Sequence, residues 1–242
     1  MLGGSHAYSL NTKESDIDNR FVFLNSNISQ IIGLDRYEHL DIKTKTEDSY
    51  GFELRHFFNL LKRGNTQVLE LLFNKNWITS SKEWNEIQEN KNSFINITKF
   101  YHSIKGYVFS ERKLVNGIKK GQIGCARIES VKQFGYNKKN AVQAIRLLWA
   151  AEYLICNNVF PVNVNEYDKT LWTMLMEIKT NSQNFNKEEI NKKIDEFELK
   201  LDHTFKFKEN DLHVKNRKFD EKLANGMLLK FYLPILTKYA TN

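Results

Sequence analysis

Residues 3–23 read GGSHAYSLNTKESDIDNRFVF: a small-residue turn, a short polar loop, and two aspartates leading into an apolar strand. Asp16 and Asp18 stand two apart, so on an extended chain they project from one face, with Ile17 turned toward the core. Carboxylates so placed suit Mg²⁺, which takes oxygen ligands at about 2.0–2.1 Å and completes its octahedron with waters and substrate phosphates. Gly4 and Ser5 fit the other half of that chemistry. Without a Cβ at the turn, backbone N–H groups and the serine hydroxyl can approach a triphosphate closely. Singly, a Gly-Ser turn or an Asp-x-Asp is commonly a loop or a solvated strand end. Their order, together with a third acid on a neighbouring strand, gives the reading its weight.

That third acid is expected from residues 41–50, DIKTKTEDSY, where Ile42, Thr44, Thr46 and Asp48 alternate against Lys43, Lys45 and Glu47. Asp48 is the candidate, Glu47 facing the other way. After Gly51 the period changes: Leu54, Phe57, Phe58 and Leu61 predict a helix that Gly64-Asn65 terminates, with Asn65 read as its stop. Glu53, placed on that helix, is a rival third acid, and Glu70 reads as a structural hydrogen-bond acceptor. TQVLELLF (66–73) reads as a short buried helix, and Ser80 with Glu83 as the capping box of the next. Longer helices are predicted over 97–120, 138–155 and 168–179. A strongly amphipathic one opens at Lys187 with Ile190, Ile194, Phe197 and Leu201 inward, and a last one surrounds Leu223 to Tyr232.

Strands first and helices after predict an α+β fold in two parts: a small strand-rich core over residues 1–95 and a helical domain over 96–242. Hydrophobic residues at 41% and charged residues at 27% are a folded composition. No run approaches the roughly 18 apolar residues of a membrane span and no secretory leader opens the chain, so the cytoplasm is the expected location. Cys125 and Cys156 have neither disulfide nor zinc spacing and are expected as buried free thiols. The net charge of +7 suits a polyanionic partner, or an ordinary solvated surface. The histidines show no HxxxH or HExxH spacing, and neither a GxSxG nor a Walker-type sequence is present, which excludes the hydrolase and P-loop classes.

With those residues in view, GGSHAYSLNTKESDIDNRFVF resembles the signature of the DNA polymerase beta-like nucleotidyltransferases, especially bacterial and phage members associated with RNA repair. YGFELRHFFNLLKRGNTQVLELLF (50–73) and FGYNKKNAVQAIRLLWAAEYL (134–154) are similar to later motifs of that group. The resemblance implies a small mixed β-sheet, polymerase beta palm-like, with helices behind it and a helical C-terminal half. It assigns Asp16 and Asp18 as metal ligands, Asp48 as the third metal-binding and catalytic acid, and Gly4-Ser5 as the triphosphate turn. The departures are His6 where the group often has arginine, Phe21 where it often has glycine, Gln143 where histidine is common, and only two residues ahead of Gly3 where a full first strand is usual.

At 100° per residue Lys139, Gln143 and Arg146 share one helix face opposite Ala141, Ile145, Leu148 and Ile155, so a basic, non-core face is expected to meet a triphosphate or an RNA backbone. A solvated face is the alternative. Glu152, on the apolar side, is expected to pair with a cation or cap a neighbour. The implied activity is transfer of a nucleoside monophosphate from a nucleoside triphosphate (ATP among the candidates) to a hydroxyl, with two Mg²⁺ ions, or Mn²⁺, and release of pyrophosphate. An RNA or tRNA-like 3′ end is the expected acceptor. A protein or small-molecule acceptor, or an inactive nucleotide- or RNA-binding module, stands as the alternative.

Overall fold

The computed structural model describes residues 1–34, 36–44, 47–118 and 125–240. In chain order the elements begin with α1 (Gly4–Ala7), β1 (Ile17–Phe23), α2 (Ile28–Ile32), β2 (His39–Lys43) and β3 (Glu47–Glu53). Then come α3 (Leu54–Lys62), α4 (Thr66–Phe73), α5 (Lys82–Glu89), α6 (Ile97–Val115), α7 (Cys125–Phe134) and α8 (Lys138–Asn157). The chain continues through α9 (Val164–Tyr167), α10 (Lys169–Thr180), α11 (Lys187–Lys208), α12 (Leu212–Lys215) and α13 (Glu221–Ala240). The fold is α+β, mostly helical with a small mixed sheet. Among the described residues no helix is long and apolar enough to cross a membrane.

Two compact units divide the chain, residues 1–99 with 216–242, and residues 100–215. This division differs from a single cut near residue 95. α13 returns to the first unit because Tyr232 and Phe231 are buried there, Lys230 pairs with Glu86 at 2.7 Å, and Phe219 packs on Phe58 at 6.4 Å.

In the first unit the strand order is β1-β3-β2, with β1 parallel and β2 antiparallel to β3. The segment 41–50 is therefore not one strand. It is the end of β2 and the start of β3, and Lys45 and Thr46 of its alternation lie outside the described residues. β3 runs past Gly51 because Gly51 lies opposite Phe21, whose ring fills the place a Cβ would take at 2.2 Å. Glu53 is consequently not a helical residue. It ends β3, caps α3 through the His56 N–H at 3.1 Å, and accepts the Tyr232 hydroxyl. Buried at 3% exposure, Glu53 is committed to structure. Behind the sheet, Phe57, Phe58, Trp84 and Phe94 make edge-on pairs with centroids 4.9–5.9 Å apart.

Gly64-Asn65 closes α3 as read, Gly64 at φ +76 and the Asn65 N–H donating to the Leu60 carbonyl at 3.0 Å, and the Asn65 side chain also opens α4 by accepting from the Gln67 and Val68 N–H groups. One helix start differs from the sequence reading: Ser81 rather than Ser80 caps α5. Glu70 does accept a hydrogen bond, from the Tyr8 hydroxyl at 2.5 Å.

The second unit is built on α8. Every residue from Ala144 to Ala151 is buried, so this helix is enclosed all round rather than on one stripe. α11 lies against it with Ile190, Ile194 and Leu201 buried and Phe197 half-buried. An ionic seam joins α6 to α11: Lys105 meets Glu198 and Asp202 at 2.6 and 2.7 Å, and Arg112 meets Asp195 and Glu198 at 2.7 and 3.0 Å. Tyr101 stacks on Phe205 at 3.8 Å in the same seam. Glu152 pairs with Lys200 at 3.3 Å. Cys156 is free but half-buried, and the Cys125 side chain lies outside the described residues.

Candidate active site

The site starts from backbone pairing. Met1 to Gly3 lie antiparallel along β1, with Leu2 bridging Asn19, the Gly3 N–H donating to the Asp18 carbonyl at 2.7 Å and the Arg20 N–H donating to the Met1 carbonyl at 2.9 Å. This places the Gly-Ser turn beside the first half of β1. Gly4 has φ +54, and a Cβ there would lie 2.1 Å from Asp18 Oδ2, so the backbone closes on the carboxylate in a way only glycine permits. Ser5 follows in α1, half-buried.

Asp18 and Asp48 are register partners across the parallel β1–β3 pair, and Lys43 is the partner of Asp48 on β2. Register partners share a face at a strand spacing of about 4.8 Å, so the two carboxylates stand side by side. Like charges so placed repel. Arg20, two residues along β1 on the same face, offsets Asp18 at 3.5 Å, and Lys43 closes the rung from the other side while meeting Asp41 at 3.4 Å. Asp48 Oδ1 is buried and has no hydrogen-bond partner. Asp16 stands exposed immediately before β1.

Ile17 does not point into a core. It is 42% exposed, because the small sheet leaves the start of β1 open to solvent on that face. Among the described residues no group of three or more His, Cys, Asp or Glu side chains is arranged to hold a metal ion. The smaller set still fits Mg²⁺, which one or two carboxylates and substrate phosphates can bind, and a buried carboxylate oxygen lacking any donor is the kind of ligand a hard cation satisfies.

The other two expected residues lie on α8. Lys139 is exposed in the first turn, whereas Arg146 is 0% exposed, its guanidinium donating to Gln143 Oε1 at 3.0 and 3.3 Å. The face carrying Lys139, Gln143 and Arg146 is thus not a continuous basic surface. A helix enclosed all round buries its polar face too, and Arg146 is accommodated there by hydrogen bonding within the helix. Lys179 lies near the start of α8: its pKa is held below the usual lysine range by burial and then by Lys139 and Lys138.

Arg20, Lys43 and Tyr50, which is the register partner of Arg20 on β3, were not read as site residues from sequence. The period of two that joins Asp16 to Asp18 also puts Arg20 on their face, so that one was within reach. Lys43 and Tyr50 needed the register of a third strand.

Residues 1–229 match the model of the family described as RlaP, the RNA repair pathway DNA polymerase beta family. No curated protein and no solved structure matches the chain.

Proposed function

The chain belongs to the RNA repair pathway DNA polymerase beta family, and from that membership we propose that it transfers a nucleoside monophosphate from a nucleoside triphosphate to the 3′ hydroxyl of an RNA, tRNA-like acceptor. The observation that carries the reading is the rung setting Asp18 beside Asp48, with Gly4 closed on the Asp18 carboxylate. The same rung, on one face of a mixed sheet backed by helices, supports a palm-like description of the core.

In the proposed reaction the acceptor oxygen bonds to the α-phosphorus, the bond from that phosphorus to the bridging oxygen breaks, pyrophosphate leaves, and the hydroxyl proton passes to water. Asp18 and Asp48, joined by Asp16, would hold the divalent cations, Mg²⁺ or Mn²⁺. When bound, two such ions would supply charge offset to the attacking and leaving oxygens. Asp48 is assigned to the acceptor hydroxyl, because β3 is the central strand and Asp18 lies against the Gly-Ser turn. Gly4 and Ser5 cradle the triphosphate with backbone N–H groups and the hydroxyl. Arg20 offsets the Asp18 charge until cation binds. Lys139 is proposed to contact RNA phosphate, and Arg146 is left with a structural part through Gln143.

The test is incubation with each α-³²P-labelled nucleoside triphosphate, Mg²⁺ and a mixed tRNA pool, beside Asp18→Asn and Asp48→Asn proteins. Label on RNA that both variants lose supports the proposal and identifies the nucleotide. Label on protein replaces RNA by a protein acceptor, and no label with nucleotide bound points to an inactive binding module.

A further inference from the structure

One rung beyond the acid pair, on the same face of the sheet, Arg20 is the register partner of Tyr50 and Tyr50 that of Asp41. The His39 ring lies nearly parallel to Tyr50, 13° between planes and 5.4 Å between centroids, and the Arg20 guanidinium sits 6.0 Å from the centre of the Tyr50 ring. Tyr50 meets Phe52 edge-on at 5.0 Å, and buried Phe52 in turn stacks with His56 at 6.4 Å. Three planar groups, a guanidinium, a phenol and an imidazole, thus run across all three strands. The row is anchored at a buried ring and ends at an exposed one.

We propose that Arg20, Tyr50 and His39 form a stacking row for the terminal base of the acceptor RNA. The inference rests on the nucleotidyl-transfer reading above and deepens it. Geometry chooses the acceptor over the incoming nucleotide. The Gly-Ser turn packs against Asp18 on β1, at one edge of the sheet, whereas His39 lies on β2 at the opposite edge, with Asp48 and Tyr50 on the strand between. Two residues of strand separate Asp48 from Tyr50, about 6.6 Å, a span that a ribose bridges between its hydroxyl and its base. Flat cationic and aromatic groups are what single-stranded RNA ends stack on, because every base offers a π-face and the guanidinium adds a cation–π attraction. Arg20 and Lys43, paired with Asp18 and Asp41 at 3.5 and 3.4 Å, are the cations on this face that an RNA phosphate would meet. A histidine laid flat on Tyr50 only to hold the sheet together would be expected to be covered, and His39 is exposed.

The experiment uses the full chain and an RNA oligonucleotide ending in 2-aminopurine riboside, read by quenching of its fluorescence and by anisotropy. Wild type quenches the terminal base. Tyr50→Leu and His39→Ala each lose most of the quench and weaken binding about fivefold or more, while Tyr50→Phe, which keeps the ring, behaves as wild type. Thermal unfolding shows that the variants fold, and His39→Ala, a surface change, keeps the test valid if Tyr50→Leu does not. Unchanged quenching in both ring-removing variants overturns the proposal. So does quenching of 2-aminopurine riboside triphosphate in place of the RNA end, which would give the row to the incoming nucleotide. No turnover is needed, so a chain that transfers no nucleotide can still show the stacking, and the two readings fail separately.

Discussion

The sheet end of the first unit and the α6, α8 and α11 helices of the second are built on opposite terms. Along β1 every residue is exposed or half-buried, two carboxylates are set side by side, a buried carboxylate oxygen lacks a partner, and Gly4 holds a positive φ against Asp18. Along α8 a run of eight residues is buried, and the ion pairs between α6 and α11 are drawn to 2.6–3.0 Å. The helices bury what they can pack and pair, whereas the sheet end keeps charges and a close backbone approach that packing alone does not require.

The largest effect that sharpens this contrast is on activity. Asp18→Asn is expected to cut nucleotidyl transfer at least on the order of 100-fold while leaving the melting temperature equal or raised, because it relieves repulsion with Asp48. A melting temperature lowered as far as by a core cavity would break the comparison. The reverse is expected of Leu148→Ala on α8: a loss of about 2–5 kcal/mol of stability, read as a lower midpoint in thermal or urea unfolding, with activity per folded molecule retained.

Tyr232→Phe is expected to cost about 1–3 kcal/mol by removing the hydroxyl that donates to Oε1 of the buried Glu53 carboxylate, whose other oxygen keeps the His56 N–H. Burial and then the Glu53 hydrogen bond hold the Tyr232 phenol above its ordinary value of 10.0. A raised pKa means that the folded state keeps the proton longer. This stabilisation is therefore complete below pH 10 and lost as pH rises above it, and the alkaline part of the stability profile should flatten in the phenylalanine variant. The smallest effect is on the ionic seam. Arg112→Ala should cost about 1 kcal/mol or less, and less still in high salt, since Asp195 is largely exposed. A seam insensitive to salt would mean that its packing, not its charge, joins α6 to α11.

The candidate site was legible in sequence to the extent that it is local. Asp16, Asp18, Gly4 and Ser5 sit within one short stretch, and period and turn chemistry are enough to single them out. Glu53 was misplaced because the change from strand to helix was put two residues early. Its backbone continues the ladder opposite Phe23, a constraint invisible without the partner strand. Asn65 was legible as the stop of α3, but its second part, as the cap of α4, depends on how tightly the two helices join. Arg146 was taken for a surface cation because helical period assigns a polar face to solvent, and it cannot register that neighbours cover that face.

By itself, the sequence determined the features that neighbours along the chain impose on one another: an α+β class, the turn and paired aspartates of β1, and the amphipathic course of α11. Tertiary structure alone decided the features that depend on residues far apart: that segment 41–50 holds the ends of two antiparallel strands, the second of which sets Asp48 beside Asp18, and that Tyr50 and His39 lie on the acids' face. It also decided that α13 belongs with the sheet through Tyr232 and Glu53. The physical reason is range. Backbone sterics and side-chain period act over a few residues and are written locally, whereas register and burial are settled by which distant surfaces pack together.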